Sequence, residues 1–214
     1  MSSDLTHLNL EAPELELLWA TPIIKRRLNA PPEFNADLSE TLLTLRAQDN
    51  RPRGRSNYGG WQSEQTLFEL DDPNLRALHE ACAQSVADLI VQCGRARPDQ
   101  DIGVRLYAWA NVLDRGGYNV YHTHPNNDLS GVYYVDAGEA DPANAKSGVV
   151  CFYDPRSAAG MMATPFMGFN EDCEFSPESG MLILFPSYLG HSVHAYTGAR
   201  PRIAVGFNAV VEAE

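Results

Sequence analysis

The chain predicts a mainly β fold, α+β by content, in which two helices precede a compact strand-rich region. Three observations carry that reading. Short strand-like runs crowd the chain after Asp101 with no helical pattern between them, as in sandwiches and barrels. Gly, Pro, Asn and Asp punctuate those runs, as turns require. Two stretches of helical periodicity, 34–48 and 71–94, lie ahead of them.

With 214 residues the chain fits a single domain, 1–214. Residues 1–13 read as a loose polar arm, 14–95 as a strand with helical support, and 101–212 as the strand-rich core. In Leu15 to Lys25, Pro22 cannot donate to a ladder, so a short edge strand or one broken at the proline is expected. The segment 34–48 places Phe34, Leu38, Leu42 and Leu45 on one helical face, with Asn35 as its cap. Residues 49–65 read as a Gly- and Arg-rich loop. Its arginines Arg51, Arg53 and Arg55, with Arg46 just before it, form a solvated surface or an arm that guides an anionic substrate, and Trp61 packs onto the domain. The helix at 71–94 has Asp72 as cap, Pro73 at its first position and Gly94 at its end; His79 falls at its surface or boundary. The later strands are expected at 102–113, 116–135, 147–154, 180–186, 191–196 and 202–211. Between them, Pro155 to Pro177 is a long stretch of weak pattern, a lid or the cover of an open sheet edge.

A formal charge of −12 argues against non-specific binding to nucleic acid or an anionic membrane. No window of 18 apolar residues occurs, and the first residues lack a basic and then apolar leader, so a cytoplasmic protein is expected. The four cysteines form no CxxC pair and read as buried, reduced thiols. An exposed sheet edge would suit a homodimer.

The stretch GGYNVYHTHPNNDLSGVYYV (116–135) holds the chemistry. His122 and His124 are two apart in an extended run, so their side chains share a face roughly 6.5–7 Å apart. A third histidine follows an apolar strand in FPSYLGH. His191 and His194 face opposite sides of an extended chain; His191 shares the inward face with Val193 and is chosen. Arg202 opens the last strand, where a hairpin is expected to set it beside the strand of His191. At the rim of an apolar barrel its guanidinium calls for an anion, such as a ligand carboxylate.

The order GGYNVYHTHP, FPSYLGHSV, RIAVGFN resembles the Fe(II)- and 2-oxoglutarate-dependent oxygenases. NYGGWQS, HTHPNNDLSGVYYV and FPSYLGHSV resemble an uncharacterised bacterial group of such enzymes, over about Leu18 to Asn208. The resemblance implies a double-stranded β-helix (jelly-roll, cupin-like) core. It implies Fe(II) on His122, His124 and His191, 2-oxoglutarate on Arg202, and hydroxylation of a substrate it does not identify. The chain departs from the superfamily at His124, where Asp or Glu is usual. A three-histidine site suits zinc, and iron in some cupin-type dioxygenases. Asp128, in a run like a cupin motif, is a further ligand candidate that would restore the missing charge. Asn111 is carried as a cofactor-pocket residue, while Tyr107, Ser130 and Tyr133 read as ordinary strand filling. Two other classes remain: a cupin-like protein that binds a metal or small acid without turnover, and a structural β domain.

Overall fold

The computed structural model describes residues 20–49, 56–93, 102–161 and 173–212. The expectations for the N-terminal arm, for Arg51, Arg53 and Arg55, for Gly94 and for most of the Met/Phe string 160–170 lie outside these residues.

Two helices form where periodicity places them. Helix α1 (Phe34–Gln48) buries Phe34, Leu38 and Leu42. Its start differs from the expectation: Glu33 occupies the cap position without a side-chain bond. The Asn35 side chain instead accepts the Tyr133 hydroxyl at 2.6 Å, tying helix to sheet. Helix α2 (Pro73–Gln92) is capped as read, with Asp72 accepting from the amides of Asn74 and Leu75. Neither helix is long and apolar enough to cross a membrane. None of the four cysteines is in a disulfide; Cys82 and Cys151 are buried, but Cys93 and Cys173 are exposed, so the expectation of buried thiols holds for two of them.

The strands are β1 (Ile24–Arg27), β2 (Asn57–Gln62), β3 (Gly103–His122), β4 (Leu129–Asp136), β5 (Val150–Phe152), β6 (Cys173–Phe175), β7 (Met181–Pro186), β8 (His191–Val193) and β9 (Arg202–Glu212). They form one antiparallel sheet in the order β1-β7-β4-β9-β3-β8-β5-β6, with β2 also paired to β3. Strand β1 is the expected edge strand and starts beyond Pro22. Two strands were not expected: β2 runs through the presumed loop 49–65, and β6 lies inside the weak-pattern stretch 155–177. The runs expected at 102–113 and 116–135 divide elsewhere: β3 continues through Arg115-Gly116-Gly117, and the break falls after His122, before β4. Gly116 takes φ +87°, and a Cβ on Gly117 would sit 2.8 Å from the Gly59 carbonyl oxygen. These glycines let β3 bend and keep its pairing with β2.

The period-two alternation of strands divides the sheet into two faces. On β9, Ile203, Val205, Phe207 and Ala209 join the leucines of both helices in one core. The alternate residues Arg202, Ala204, Gly206 and Asn208 line a cavity on the other face. Strand β3 repeats the pattern, with Ala108, Ala110 and Val112 toward the helices and Tyr107, Trp109 and Asn111 toward the cavity. Helices therefore seal one side, and the curl of the sheet leaves the other open.

Candidate active site

The cavity, about 390 Å³, draws its walls from β3, β4, β7, β8 and β9. It holds His122, His124, His191 and Arg202 together. His122 and His191 are paired directly across the β3–β8 ladder. His124 lies just past the end of β3, where its amide donates to the Ser187 carbonyl at 3.0 Å. One donor nitrogen from each histidine falls within 4.8 Å of the others.

Hydrogen bonds fix which nitrogens face inward. The Nδ1 of His122 meets the Val120 carbonyl at 2.7 Å, and that of His191 meets the Leu189 carbonyl at 2.9 Å. A carbonyl only accepts, so each Nδ1 carries the proton and each Nε2 keeps its lone pair. The Nε2 atoms of His124 and His191 stand 3.3 Å apart. Burial lowers all three basicities. His191 is pushed down to about 3 by burial and then by neighbouring His122, and His124 to about 4 by the same two causes. His122 moves the same way by burial, opposed by its bond to Val120. Neutral imidazoles with converging lone pairs are the state a divalent cation binds.

The surroundings hold this set in place. Trp109 stacks on His124 with ring centroids 5.7 Å apart. Asn208 hydrogen-bonds His124 through its side chain and accepts the buried Ser130 hydroxyl at 2.7 Å. Phe185 packs edge-on to His191 at 4.8 Å. Neither Trp109 nor Asn208 is in the sequence reading, although counting Arg202, Ala204, Gly206, Asn208 along one face of β9 leads to the second.

Arg202 is 2% exposed. Its guanidinium lies over the Tyr134 ring, 4.9 Å from the centroid. Its Nε and the Tyr134 hydroxyl have no hydrogen-bond partner, and no carboxylate pairs with it among the described residues. Burial pulls its pKa down, opposed by Tyr134. A cation buried without an anion is costly by several kcal/mol, so the position is built for a charged guest. The route to it differs from the expected hairpin: β3 lies between β8 and β9, and Arg202 pairs with Leu113.

Asp128 is not brought to the histidines. Its carboxylate accepts the Val211 amide at 2.8 Å, and its own carbonyl takes the Ser187 amide; it fastens the turn after His124 rather than facing the cavity. Asn111 does line the cavity and accepts the Asn57 side-chain amide. His194 points away, to Glu174 at 3.1 Å.

Residues 107–208 match the family described as "Putative 2OG-Fe(II) oxygenase", a span that contains all three histidines and Arg202. A comparison with curated proteins gave no match. Among solved structures the chain is similar to a prolyl-4-hydroxylase of Pseudomonas putida, at 12% identity over 87% of this chain and 91% of that one, with a TM-score of 0.60. It is also similar to the epimerase SnoN in complex with Fe3+, alpha ketoglutarate and nogalamycin RO (13% identity, 88% and 78% covered, TM-score 0.59). HygX of Streptomyces hygroscopicus, with nickel and 2-oxoglutarate bound, is a further likeness (10%, 89% and 83%, TM-score 0.55). At such identities the likeness is one of fold: the curled antiparallel sheet is the double-stranded β-helix of these proteins.

Proposed function

We propose, from the match of residues 107–208 to the family of putative 2OG-Fe(II) oxygenases, that this enzyme is a dioxygenase that holds Fe(II) on His122, His124 and His191. Arg202 binds the distal carboxylate of 2-oxoglutarate, and the substrate is hydroxylated in the open part of the cavity. The observation that carries the reading is the pairing, inside one cavity, of three converging imidazole nitrogens with a buried guanidinium whose Nε has no hydrogen-bond partner.

The residues present fit both groups. Two of the three imidazoles are fixed in the metal-binding tautomer by backbone carbonyls. All three donors are neutral, so the ion keeps more positive charge than it would beside a carboxylate. That strengthens its pull on a dianionic co-substrate. Arg202 offers an Nε–H that nothing else uses, in a low-dielectric wall where a carboxylate contact is strong. Bound iron with 2-oxoglutarate and O2 supplies the oxidation, in which the keto acid becomes succinate and CO2. The chain's part is to hold the imidazoles rigidly, anchor the keto acid and keep water from the inner wall formed by Val132, Tyr134, Val150 and Phe185.

The test is succinate formation from 2-oxoglutarate by anaerobically loaded Fe(II) protein exposed to air. Uncoupled turnover without substrate suffices, and Arg202→Met should abolish it. Tight binding of Fe(II) and 2-oxoglutarate with no succinate, even with candidate substrates, would instead make the chain a binding protein.

A further inference from the structure

A second set of donor groups gathers outside the cavity, on the opposite face of the short strands β5, β6 and β8. Cys151 lies directly across from Glu174 in the β5–β6 ladder and from Ser192 in the β5–β8 ladder. His194 is two residues beyond Ser192, on the same side, and its amide donates to the Val149 carbonyl at 2.9 Å. The neighbouring register pair, Phe152 and His191, belongs to the cavity side. We propose that Cys151, Glu174 and His194 form a second divalent-cation site, suited to zinc and independent of the three histidines of the cavity.

The geometry is close to what such an ion needs. The Cys151 thiol, a Glu174 carboxylate oxygen and a His194 ring nitrogen all lie within 4.8 Å of one another. Around tetrahedral zinc, donors sit roughly 3.3–3.6 Å apart, so the set closes by little more than about 1 Å. The Glu174–His194 contact is already at 3.1 Å. Cys151, 1% exposed, forms the floor. The side chains of Glu174 and His194, 30% and 35% exposed, form walls that solvent reaches. One thiolate, one imidazole and one carboxylate make a borderline-soft set that leaves a fourth position for water.

Lys146 holds its ammonium 2.7 Å from the same Glu174 oxygen that faces His194, and it gives up that oxygen when the ion arrives. On binding, the Cys151 thiol gives its proton to solvent, and the metal takes over the neutralisation of Glu174. The ion would join β5, the edge strand β6 and the residue following β8, clamping the strand that carries His191.

Cobalt(II) reports this directly, since only a thiolate ligand gives its intense near-ultraviolet charge-transfer band. Reduced, metal-free protein titrated with Co2+ should develop that band, and His191→Ala and Cys173→Ser should keep it. Cys151→Ser should lose it. Glu174→Gln and His194→Ala should weaken Co2+ binding by more than the roughly 10–100-fold that changes outside a ligand shell cost. The proposal is overturned if wild type shows no thiolate band or if the band survives Cys151→Ser. Should Cys151→Ser fail to fold, His194→Ala decides: band formation at wild-type Co2+ concentrations overturns the site.

Discussion

His191 sits opposite His122 across the β3–β8 ladder, with ring centroids 4.2 Å apart. Two strands distant in sequence thus set the spacing of the donor atoms, and neither imidazole can turn without breaking its bond to a backbone carbonyl. His122→Ala and His191→Ala should each abolish stoichiometric Fe(II) binding, read by metal analysis of anaerobically prepared protein. Full occupancy in either variant would remove the ligand assignment.

Arg202 lends itself to a test with two opposite signs. Arg202→Met removes a buried, unpartnered charge, so the metal-free variant should melt no lower than wild type, and up to a few kcal/mol more stable. Yet 2-oxoglutarate, which raises the melting temperature of the Fe(II)-loaded wild type by mass action, should leave the variant unmoved. A variant that melts lower and still responds to 2-oxoglutarate would place the anion elsewhere.

Asn208 positions rather than ligates. Asn208→Ala frees His124 and strands the buried Ser130 hydroxyl. Metal affinity should fall roughly 10–100-fold, with the affinity of the loaded protein for 2-oxoglutarate little changed. Equal loss of both would mean that the cavity wall itself had collapsed.

The metal-free protein should be acid-labile in a defined window. Burial holds His191 at about 3 and His124 at about 4, below the ordinary 6.5. A base with a lower pKa folded than unfolded takes up its proton on unfolding. Its stability contribution is therefore complete above the unfolded value and is lost as pH falls from about 6.5 toward the folded values. The urea midpoint should drop across that range, and more steeply for wild type than for His191→Gln. Identical slopes would show that the imidazole is protonated in the fold.

Asp72 offers a check on the helical layer. It accepts two amide hydrogens at the start of α2 and a contact from Thr41 of α1 at 3.3 Å. Asp72→Ala should cost about 1 kcal/mol in denaturant unfolding, with metal binding intact.

Much of this was readable from residue order because it follows from local rules. The Asp72-Pro73 start of α2, the leucines of α1 and the choice of His191 over His194 rest on periodicities of 3.6 and 2 that the fold obeys. What escaped depends on partners far along the chain. The run NYGGWQ has turn composition, yet it becomes β2 because β3 offers it a ladder. Gly116 and Gly117 signal a turn but serve a bend within one strand. Asn35 has the chemistry of a cap, and the Tyr133 hydroxyl claims it. Asp128 has the charge of a ligand, and the Val211 amide claims that. The burial of Arg202 beside Tyr134 could not be read at all, since it depends on how four strands curl.

Gly206 faces the cavity beneath Trp109, and a Cβ there would come within 2.7 Å of the indole. The indole in turn backs His124. One missing methyl group therefore acts as a spacer of fixed thickness, and the tilt of an imidazole is calibrated one layer behind the ring that touches it.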